Sequence, residues 1–416
     1  MRYTFHGGIP VGAARAVGDT PVAFTPRTVI LKKDGNYSSL LSIGEKVNKG
    51  SVLALSDDPG ALPVISSVFG TVKEISEDAI VIETDTGDGG EVSLISACDI
   101  ETPLSETPPE LLCEMMRTAA IATPACPHGA HSVCERVRAF DGTRRVIIDC
   151  TSADGISLAG RYIVRDMCSE LIGGIKLLIR ASLAIGAVIV VDDSDIRTIR
   201  RLERAVDGKN TVLLVSEAKY PICDKKLLMH ATIKKECPPD KSPADFGCAI
   251  FDAEACVAVY NAVIKRLPMT DRLISFFKKG GVSLLSIPIG TGLSELTEAQ
   301  APEALYASLG AFFELRPVSE LKDCGIYYGE RTVVVRGRVR VRRAFSCIKC
   351  MRCEDACPMY LSPYRMLMAK GDEKKLASLG IDCCIGCNCC SAVCPSGIDV
   401  RASFLIKKEE KEDDGR

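Results

Sequence analysis

Two stretches share one cysteine spacing: Cys347-Ile348-Lys349-Cys350-Met351-Arg352-Cys353-Glu354-Asp355-Ala356-Cys357-Pro358 and Cys384-Ile385-Gly386-Cys387-Asn388-Cys389-Cys390-Ser391-Ala392-Val393-Cys394-Pro395. Both follow the pattern C-x2-C-x2-C-x3-C-P. In this pattern three thiolates wrap one cube of iron and sulfide, and the fourth reaches across to a second cube. The sequence therefore predicts two 4Fe–4S clusters.

The spacing divides the eight cysteines into two ligand sets. One cluster is predicted on Cys347, Cys350, Cys353 and Cys394, and the other on Cys384, Cys387, Cys390 and Cys357. Zinc is the competing interpretation, but structural zinc prefers four ligands in separated pairs, which fits this pattern poorly.

The segment between the two runs contains good helix formers over Tyr364–Lys370. It is long for a compact ferredoxin, which favours an α-helical dicluster ferredoxin domain. Cys383 and Cys389 adjoin the predicted ligands outside the repeat, where packing beside a cluster and a redox role both stay open.

The composition limits the class of protein. A chain of 416 residues suggests two to four domains, and 52 basic against 54 acidic residues leave a net charge of −2. Such a chain lacks the positive field that holds nucleic acid. Of 21 cysteines, ten lie between Cys347 and Cys394, which favours metal ligation over a secreted disulfide framework. We therefore expect a cytoplasmic protein without a nucleic-acid partner.

Neither a signal peptide nor a membrane span is expected. The first residues lack the apolar core of a signal peptide. The longest uncharged apolar run, Ala181–Val191, is far shorter than the ~20 residues of a spanning helix. Any membrane association is therefore expected to be peripheral, through a partner.

The first hundred residues show a β pattern, with short apolar runs between Gly, Pro and Asp turns. The predicted strands are Val22–Phe24, Thr28–Leu31, Ser51–Leu55 and Ile80–Ile82. This stretch resembles the flattened barrel of the biotinyl/lipoyl type. Because the turn Ser56–Gly60 contains no lysine, we expect no attached cofactor arm.

From about residue 143 strands and helices alternate, which favours a mainly parallel α/β layer. The predicted elements are strands Val146–Ile148, Ala187–Val191 and Val212–Val215, and helices Glu170–Arg180 and Ile196–Ala205. Ser194 or Asp195 is expected to cap the second helix. No G-x-G-x-x-G or Walker motif opens these helices, so the layer has a nucleotide-domain shape without that chemistry.

These patterns predict a multidomain α/β plus β architecture. The predicted units are a barrel-sandwich domain at 1–105, an α/β domain at 106–268, a small α+β module at 269–335, a two-cluster ferredoxin domain at 336–406 and a charged tail at 407–416. The alternating arginines of Arg336–Arg342 predict a strand with one cationic face. That face could steer an acidic carrier, offset the clusters or protect a sheet edge.

One further segment combines metal-competent side chains, namely Cys126, His128, His131 and Cys134. Their spacing matches no common zinc pattern, so a metal site and a plain helix start stay open. His6 and His230 stand alone and are predicted to be structural.

In order, these parts resemble the RnfC-like family, which includes a component of the Rnf ferredoxin:NAD oxidoreductase complex, the electron-transfer protein of proline reductase and the cobalamin reductase of propanediol utilisation. The resemblance rests on Phe5–Ile9, Gly44–Gly50, Ser66–Thr71, Tyr220-Pro221 with Lys225–Leu228, Ile289–Thr291, and the second cluster run. It implies a barrel, a flavin/NADH domain, a β-grasp module and two clusters.

This sequence departs from the family's flavin and NADH motifs. The glycine-rich stretch is replaced by Thr123–His131, where two prolines lack the N–H that a phosphate needs. The acidic segment Glu-Cys-Glu-Pro is replaced by Asp149–Asp154. We therefore expect neither FMN nor NADH to bind in the family's manner.

The expected function is electron transfer by two 4Fe–4S clusters, between a redox protein partner (ferredoxin, flavoprotein or reductase) and a reductase or Rnf-type membrane complex. No catalytic acid, base or nucleophile is required, so the chain is expected to be an electron-transfer subunit of an oxidoreductase. Two alternatives stay open. They are a flavin-dependent NADH dehydrogenase subunit with a divergent loop, and a scaffold subunit with structural clusters.

Overall fold

The computed structural model describes residues 2–12, 16–18, 20–33, 35–58, 61–85, 91–95, 107–122, 145–152, 156–310, 315–321, 324–338, 343–369 and 372–404. Cys126, His128, His131 and Cys134 lie outside the described residues, as does the divergent stretch Thr123–His131.

Short strands make up the first part of the chain. They are β1 (Arg2–Tyr3), β2 (Ile9–Pro10), β3 (Val22–Ala23), β4 (Thr28–Lys32), β5 (Tyr37–Ser39), β6 (Lys46–Val47), β7 (Val52–Ser56), β8 (Val64–Ile65), β9 (Gly70–Ile75) and β10 (Ala79–Thr84). Alternate residues such as Val29 and Leu31 point into a core between the sheets β4-β10-β9-β6 and β5-β7-β8. The four predicted strands are confirmed.

The middle of the chain builds a parallel sheet with helices on both faces. Its elements are α1 (Pro109–Thr118), β11 (Arg145–Asp149), α2 (Ala159–Asp166), α3 (Cys168–Ala181), β12 (Gly186–Asp192), α4 (Ile196–Ala205), β13 (Thr211–Ser216), β14 (Lys219–Tyr220), α5 (Lys225–Ile233), a 3-10 turn (Pro243–Phe246), β15 (Cys248–Asp252) and α6 (Ala253–Ile264). The strand order is β1-β13-β12-β11-β15, and every pair is parallel. The predicted α/β layer is confirmed.

The two faces of this sheet carry different cores. α1, α2, α3, α4 and α6 pack on one face, and α5 packs with Tyr3 and Phe5 on the other. Asp195 caps α4, where its carboxylate accepts the N–H groups of Arg197 and Thr198. Because β1 supplies an edge strand, the predicted unit 1–105 contributes directly to the sheet of the unit 106–268.

Residues Gly173 and Gly174 lie inside α3, where glycine normally weakens a helix. A Cβ on Gly174 would meet the carbonyl oxygen of Cys256 at 1.8 Å, and one on Gly173 would meet the Tyr260 ring at 2.5 Å. The glycines therefore allow α3 and α6 to pack closely, which offsets their low helix propensity.

A mixed sheet follows the α/β layer. The elements are β16 (Asp271–Lys278), β17 (Gly281–Pro288), β18 (Thr291–Gly292), α7 (Leu293–Gln300), β19 (Tyr306–Leu309), β20 (Arg316–Pro317), a 3-10 turn (Val318–Glu320), β21 (Gly325–Ile326) and β22 (Thr332–Arg336). β18 and β21 extend the sheet of β4, and β3 joins β17. The strand predicted over Arg336–Arg342 ends at Arg336, whose guanidinium lies over the Phe277 ring; residues 339–342 are outside the described part.

The cysteine-rich region contains short helices only. They are α8 (Arg352–Asp355), α9 (Pro363–Met368), α10 (Glu373–Ser378), a 3-10 turn (Ile381–Cys383) and α11 (Cys389–Ala392). The predicted helical spacer is confirmed by α9. This region packs on the α5 face of the sheet, where Gly8 donates its N–H to the carbonyl of Ala356 at 3.0 Å. Within the described residues, no helix has the length and apolarity needed to cross a bilayer.

Candidate functional site

The two cysteine runs fold into matching loops. Lys349 and Gly386 occupy equivalent positions in the repeat and both have positive φ, as do Met351 and Asn388 two residues later. A short helix follows each turn, α8 in the first run and α11 in the second. The left-handed residues turn the backbone N–H of Lys349 toward Cys347 Sγ at 3.4 Å and that of Gly386 toward Cys384 Sγ at 3.5 Å. Such N–H···S contacts tune the potential of a bound cluster.

The first cavity is lined by thiols from both runs. These are Cys347, Cys350, Cys353 and Cys394. Ile348, Leu367 and Ile398 complete an apolar lining. The structure thus brings together the four residues predicted as the first ligand set.

The second cavity shows the reciprocal arrangement. Its lining includes the four residues predicted as the second ligand set, Cys357, Cys384, Cys387 and Cys390, and also Cys389. Met359, Ile385 and Phe404 surround them. Each run therefore contributes its first three predicted ligands to one cavity and its fourth to the other, as the C-x2-C-x2-C-x3-C pattern predicts.

The protonation of these thiols depends on burial. Burial raises the pKa values of Cys353 and Cys357, and it raises that of Cys390 to about 12. Thiolate ligation therefore requires metal binding to drive proton release. Within the described residues no three His, Cys, Asp or Glu side chains converge closely enough to hold a single metal ion. The thiols line the two cavities instead.

Cys389, outside the repeat, is fully buried against Tyr220 and Ala356. A hydrogen bond from its thiol lowers the pKa of Cys387, and the same contact raises the pKa of Cys389. Cys383 is half-buried in a 3-10 turn. The structure places Cys389 as a packing residue that supports a predicted ligand.

The isolated histidines make structural contacts. His230 Nδ1 lies 2.8 Å from the hydroxyl of Tyr3, and His6 stacks on Tyr360 with ring centroids 4.3 Å apart. No disulfide joins any cysteines in the described part of the chain. Cys150 and Cys256 lie in the α/β core, where burial raises their pKa values well above the ordinary range.

A further cavity of chemical interest lies at the carboxyl ends of β11 and β15. The strand order reverses there, and open α/β sheets bind ligands at such a point. Asp149, Asp252 and Glu254 line the cavity together with Arg331. Sequence reasoning did not identify Arg331, because it lies far along the chain, before β22.

These charges form a closed network. Arg331 lies 2.6 Å from Asp149 and 3.8 Å from Asp252, and the buried Arg272 lies 3.0 Å from Glu254. Burial raises the pKa of Glu254 to about 7, although Arg272 opposes the shift. Both arginines are thus paired with carboxyl groups of this cavity.

A flavin phosphate would need free cations or N–H donors in this cavity. Both arginines are already paired with carboxylates, and Asp149 and Asp252 present like charge to a phosphate. The side chains of the described cavity therefore offer no free cation to a flavin phosphate.

Two known protein families match parts of this chain, one in the α/β layer and one in the cysteine-rich region. Residues 132–261 match the family described as the Nuo51 FMN-binding domain, and residues 346–398 match the 4Fe-4S dicluster domain. An NAD+-reducing [NiFe]-hydrogenase structure aligns with a TM-score of 0.50 at 16% identity, covering 74% of this chain and 61% of that one. The class of protein is therefore a mixed α/β protein with a C-terminal 4Fe–4S dicluster domain.

Curated relatives are components of ion-translocating complexes of the Rnf type. The C subunit of the ion-translocating oxidoreductase complex of Buchnera aphidicola is 26% identical to this chain, and the match covers 59% of this chain and 56% of that subunit. The C subunit of the same complex in Vibrio cholerae is 24% identical, and the match covers 80% of this chain and 45% of that subunit. The C subunit of the proton-translocating ferredoxin:NAD(+) oxidoreductase complex of Clostridium ljungdahlii is 22% identical over 87% and 83%.

The chain is RnfC-like, and the resemblance to that family is confirmed. It spans about half of the length of the first curated relatives it matches. Iron–sulfur cofactors of the 4Fe–4S kind are likewise confirmed at the level of the dicluster family.

Proposed function

We propose that this chain is an electron-transfer protein that carries two 4Fe–4S clusters. The ligand sets are Cys347, Cys350, Cys353 and Cys394 for one cluster, and Cys384, Cys387, Cys390 and Cys357 for the other. The observation that carries the proposal is the exchange of the fourth thiol between two cavities. When bound, the clusters supply one-electron redox chemistry.

The chain's own residues position and insulate this chemistry. Apolar side chains such as Phe404 and Leu367 limit water at the thiols, which sets the dielectric of the site. Backbone N–H groups of the two left-handed turns point at sulfur. Cys357 of the first run lines the second cavity, and Cys394 of the second run lines the first cavity. This exchange places the two cavities side by side, so that electrons can pass from one cluster to the other.

Electrons pass between a redox protein and a reductase or Rnf-type complex in this proposal. The relatives' names support a complex of that kind. The chain reaches any membrane complex through protein contacts. We further propose the barrel-sandwich unit at 1–105, the α/β unit at 106–268, the β-grasp-like module at 269–335 and the ferredoxin domain at 336–406, which the sheets near β4, β11 and β16 support.

The match to an FMN-binding family favours a second candidate, a flavin-dependent NADH dehydrogenase subunit. The paired charges at Asp149 and Arg331 argue against it. Iron, sulfide and flavin content of anaerobically purified protein separates the two, with visible spectra before and after NADH. About eight irons per chain without flavin, bleached by dithionite and not by NADH, support the relay. Bound flavin that NADH bleaches favours the dehydrogenase, and clusters that no reductant bleaches favour a scaffold.

A further inference from the structure

The two cysteine loops differ in exposure. The loop of the second run faces the α/β layer: Ile385 packs with the α5 core, and Cys389 is completely buried under Tyr220. In the first loop, Cys350 itself is exposed. Ile348 and Met351 beside it are 66% and 39% exposed. Of the two loops, the first therefore offers a partner the more direct access to a predicted cluster.

The loops also differ in charge. Residues 343–357 include three cations and two acids, Glu354 and Asp355, whereas the equivalent residues 380–394 include one charged residue, Asp382. Glu354 is half-buried, so the exposed charges of the first loop are its three cations and one acid, Asp355. Arg343, Lys349 and Arg352 are all exposed, and no ion pair within the described residues engages them. Phe345, 72% exposed, is tied to the same site because its N–H bonds the carbonyl of Ser396, next to Pro395.

We define the Cys350 face as the exposed large apolar and cationic side chains of the first loop, Arg343, Phe345, Ile348, Lys349, Met351 and Arg352. An apolar centre with cationic residues around it is suited to a protein partner whose surface is acidic. Charge complementarity of this kind speeds encounter and orients the partner.

We infer that the Cys350 face is the docking surface for an acidic protein that carries a one-electron redox centre. The partner exchanges electrons with the set Cys347, Cys350, Cys353 and Cys394, whereas the loop of the second set packs against the α/β layer. Each oxidised partner takes up one electron and the first cluster loses one. No proton or further reactant is required. The inference rests on the proposed function.

The test uses charge reversal on the full chain with its clusters. The variant carries Lys349→Glu and Arg352→Glu, and the matched control carries Arg200→Glu and Arg204→Glu on the exposed side of α4, outside the face. The probes are an acidic bacterial two-cluster ferredoxin and the basic protein cytochrome c. Calorimetry gives each dissociation constant at low salt, and stopped-flow mixing gives each transfer rate.

We expect the face variant to bind the acidic ferredoxin about tenfold more weakly and more slowly, and cytochrome c more tightly, because rim charges govern association. The salt dependence of ferredoxin binding should also decrease. The α4 variant should match the parent. Equal effects of both variants, a larger effect of the α4 variant, or no effect of the face variant overturns the inference.

Reduction of the clusters by dithionite shows whether a negative binding result contradicts only the docking surface or also the proposed electron-transfer function. If the parent's clusters accept electrons from dithionite and reduce methyl viologen, the relay stands whatever the ferredoxin result. If the clusters cannot be reduced, the proposed function itself fails. Iron content and visible spectra must be unchanged in both variants, which shows that the binding change comes from the surface.

Discussion

The hydroxyl of Tyr220 donates a hydrogen bond of 2.9 Å to the carbonyl oxygen of Cys387. Tyr220 is buried at the end of β14, so this bond joins the α/β layer to the second cysteine loop. This carbonyl belongs to a predicted ligand, in a turn that must hold its shape around a cluster. The α/β layer thus acts as a support for the second site.

Removal of this bond by Tyr220→Phe should weaken the second site. A buried hydrogen bond contributes about 1 kcal/mol, and the unpaired carbonyl adds to the cost. We expect faster loss of visible absorbance in the presence of a chelator, with full iron content at the start. Tyr260→Phe on α6, on the opposite face of the sheet, is the control. Identical decay in both variants would contradict the coupling.

The exchange of the fourth ligand predicts which alanine variants are alike. Cys394→Ala should alter the same cluster as Cys347→Ala, so the two should share one residual electron paramagnetic resonance spectrum. Cys357→Ala and Cys384→Ala should share the other. If each run binds its own cluster, Cys394→Ala will instead resemble Cys384→Ala. Iron determination on each variant shows how much cluster is left.

Replacement of only one residue of the Asp149–Arg331 ion pair should lower the free energy of unfolding strongly. Asp149 has a side chain only 1% exposed, so Arg331→Met leaves a buried carboxylate without its 2.6 Å partner. Loss of one member of a buried pair costs about 3–5 kcal/mol. Adding Asp149→Asn should recover much of that loss, as measured by anaerobic chemical denaturation. Two additive losses would show that the residues act independently.

Glu254 predicts a pH dependence of stability. Its pKa is about 7 in the folded chain, against an ordinary value of 4.5. Between these values the folded protein holds a proton that the unfolded chain has released, so the contribution of Glu254 to stability falls as pH rises through that window. Glu254→Gln should flatten the change of the unfolding midpoint between about pH 5 and about pH 7.5, as measured by anaerobic denaturation across that range. Exposed Glu298→Gln should leave the profile unchanged, and a Glu254→Gln profile parallel to the parent's would refute the assignment.

Gly174→Ala should disrupt the contact between α3 and α6. The added methyl group would meet the backbone of Cys256, which cannot rotate away as a side chain can. Overpacking of this kind costs about 1–3 kcal/mol, more than the helix propensity of alanine returns. Gly329→Ala, where a Cβ meets nothing within 4 Å, is the control for the unfolding midpoint. Higher stability of Gly174→Ala would show that the helices can separate.

Local patterns predicted much of this fold. Short apolar runs between turn residues indicated β4 and β10, helical periodicity indicated α3, and Asp195 caps α4 as one of two expected residues. Each of these signals lies within a few neighbouring residues, where propensity and burial act directly. The ligand sets stay predictions, and the two cavities support them.

Contacts between distant segments were not predictable in the same way. Arg331 and Asp149 are 182 positions apart, and neither has a neighbour that marks the pair. The pairing of β1 with β13 joins Arg2 to Val215. Gly174 must be glycine because the backbone of Cys256, on another helix, packs against it. A single sequence holds no local trace of such pairs, because they arise only when the chain has folded.

The place of β1 also orders events during synthesis. Tyr3 leaves the ribosome early, but its partner Ser216 emerges only after most of the parallel sheet has been translated. The hydrogen bond of the Gly8 N–H can form only later, because its acceptor is the carbonyl of Ala356. The pairing of β1 therefore cannot form before β13 has been made, and the contact of Gly8 cannot form before the first cysteine loop has been made.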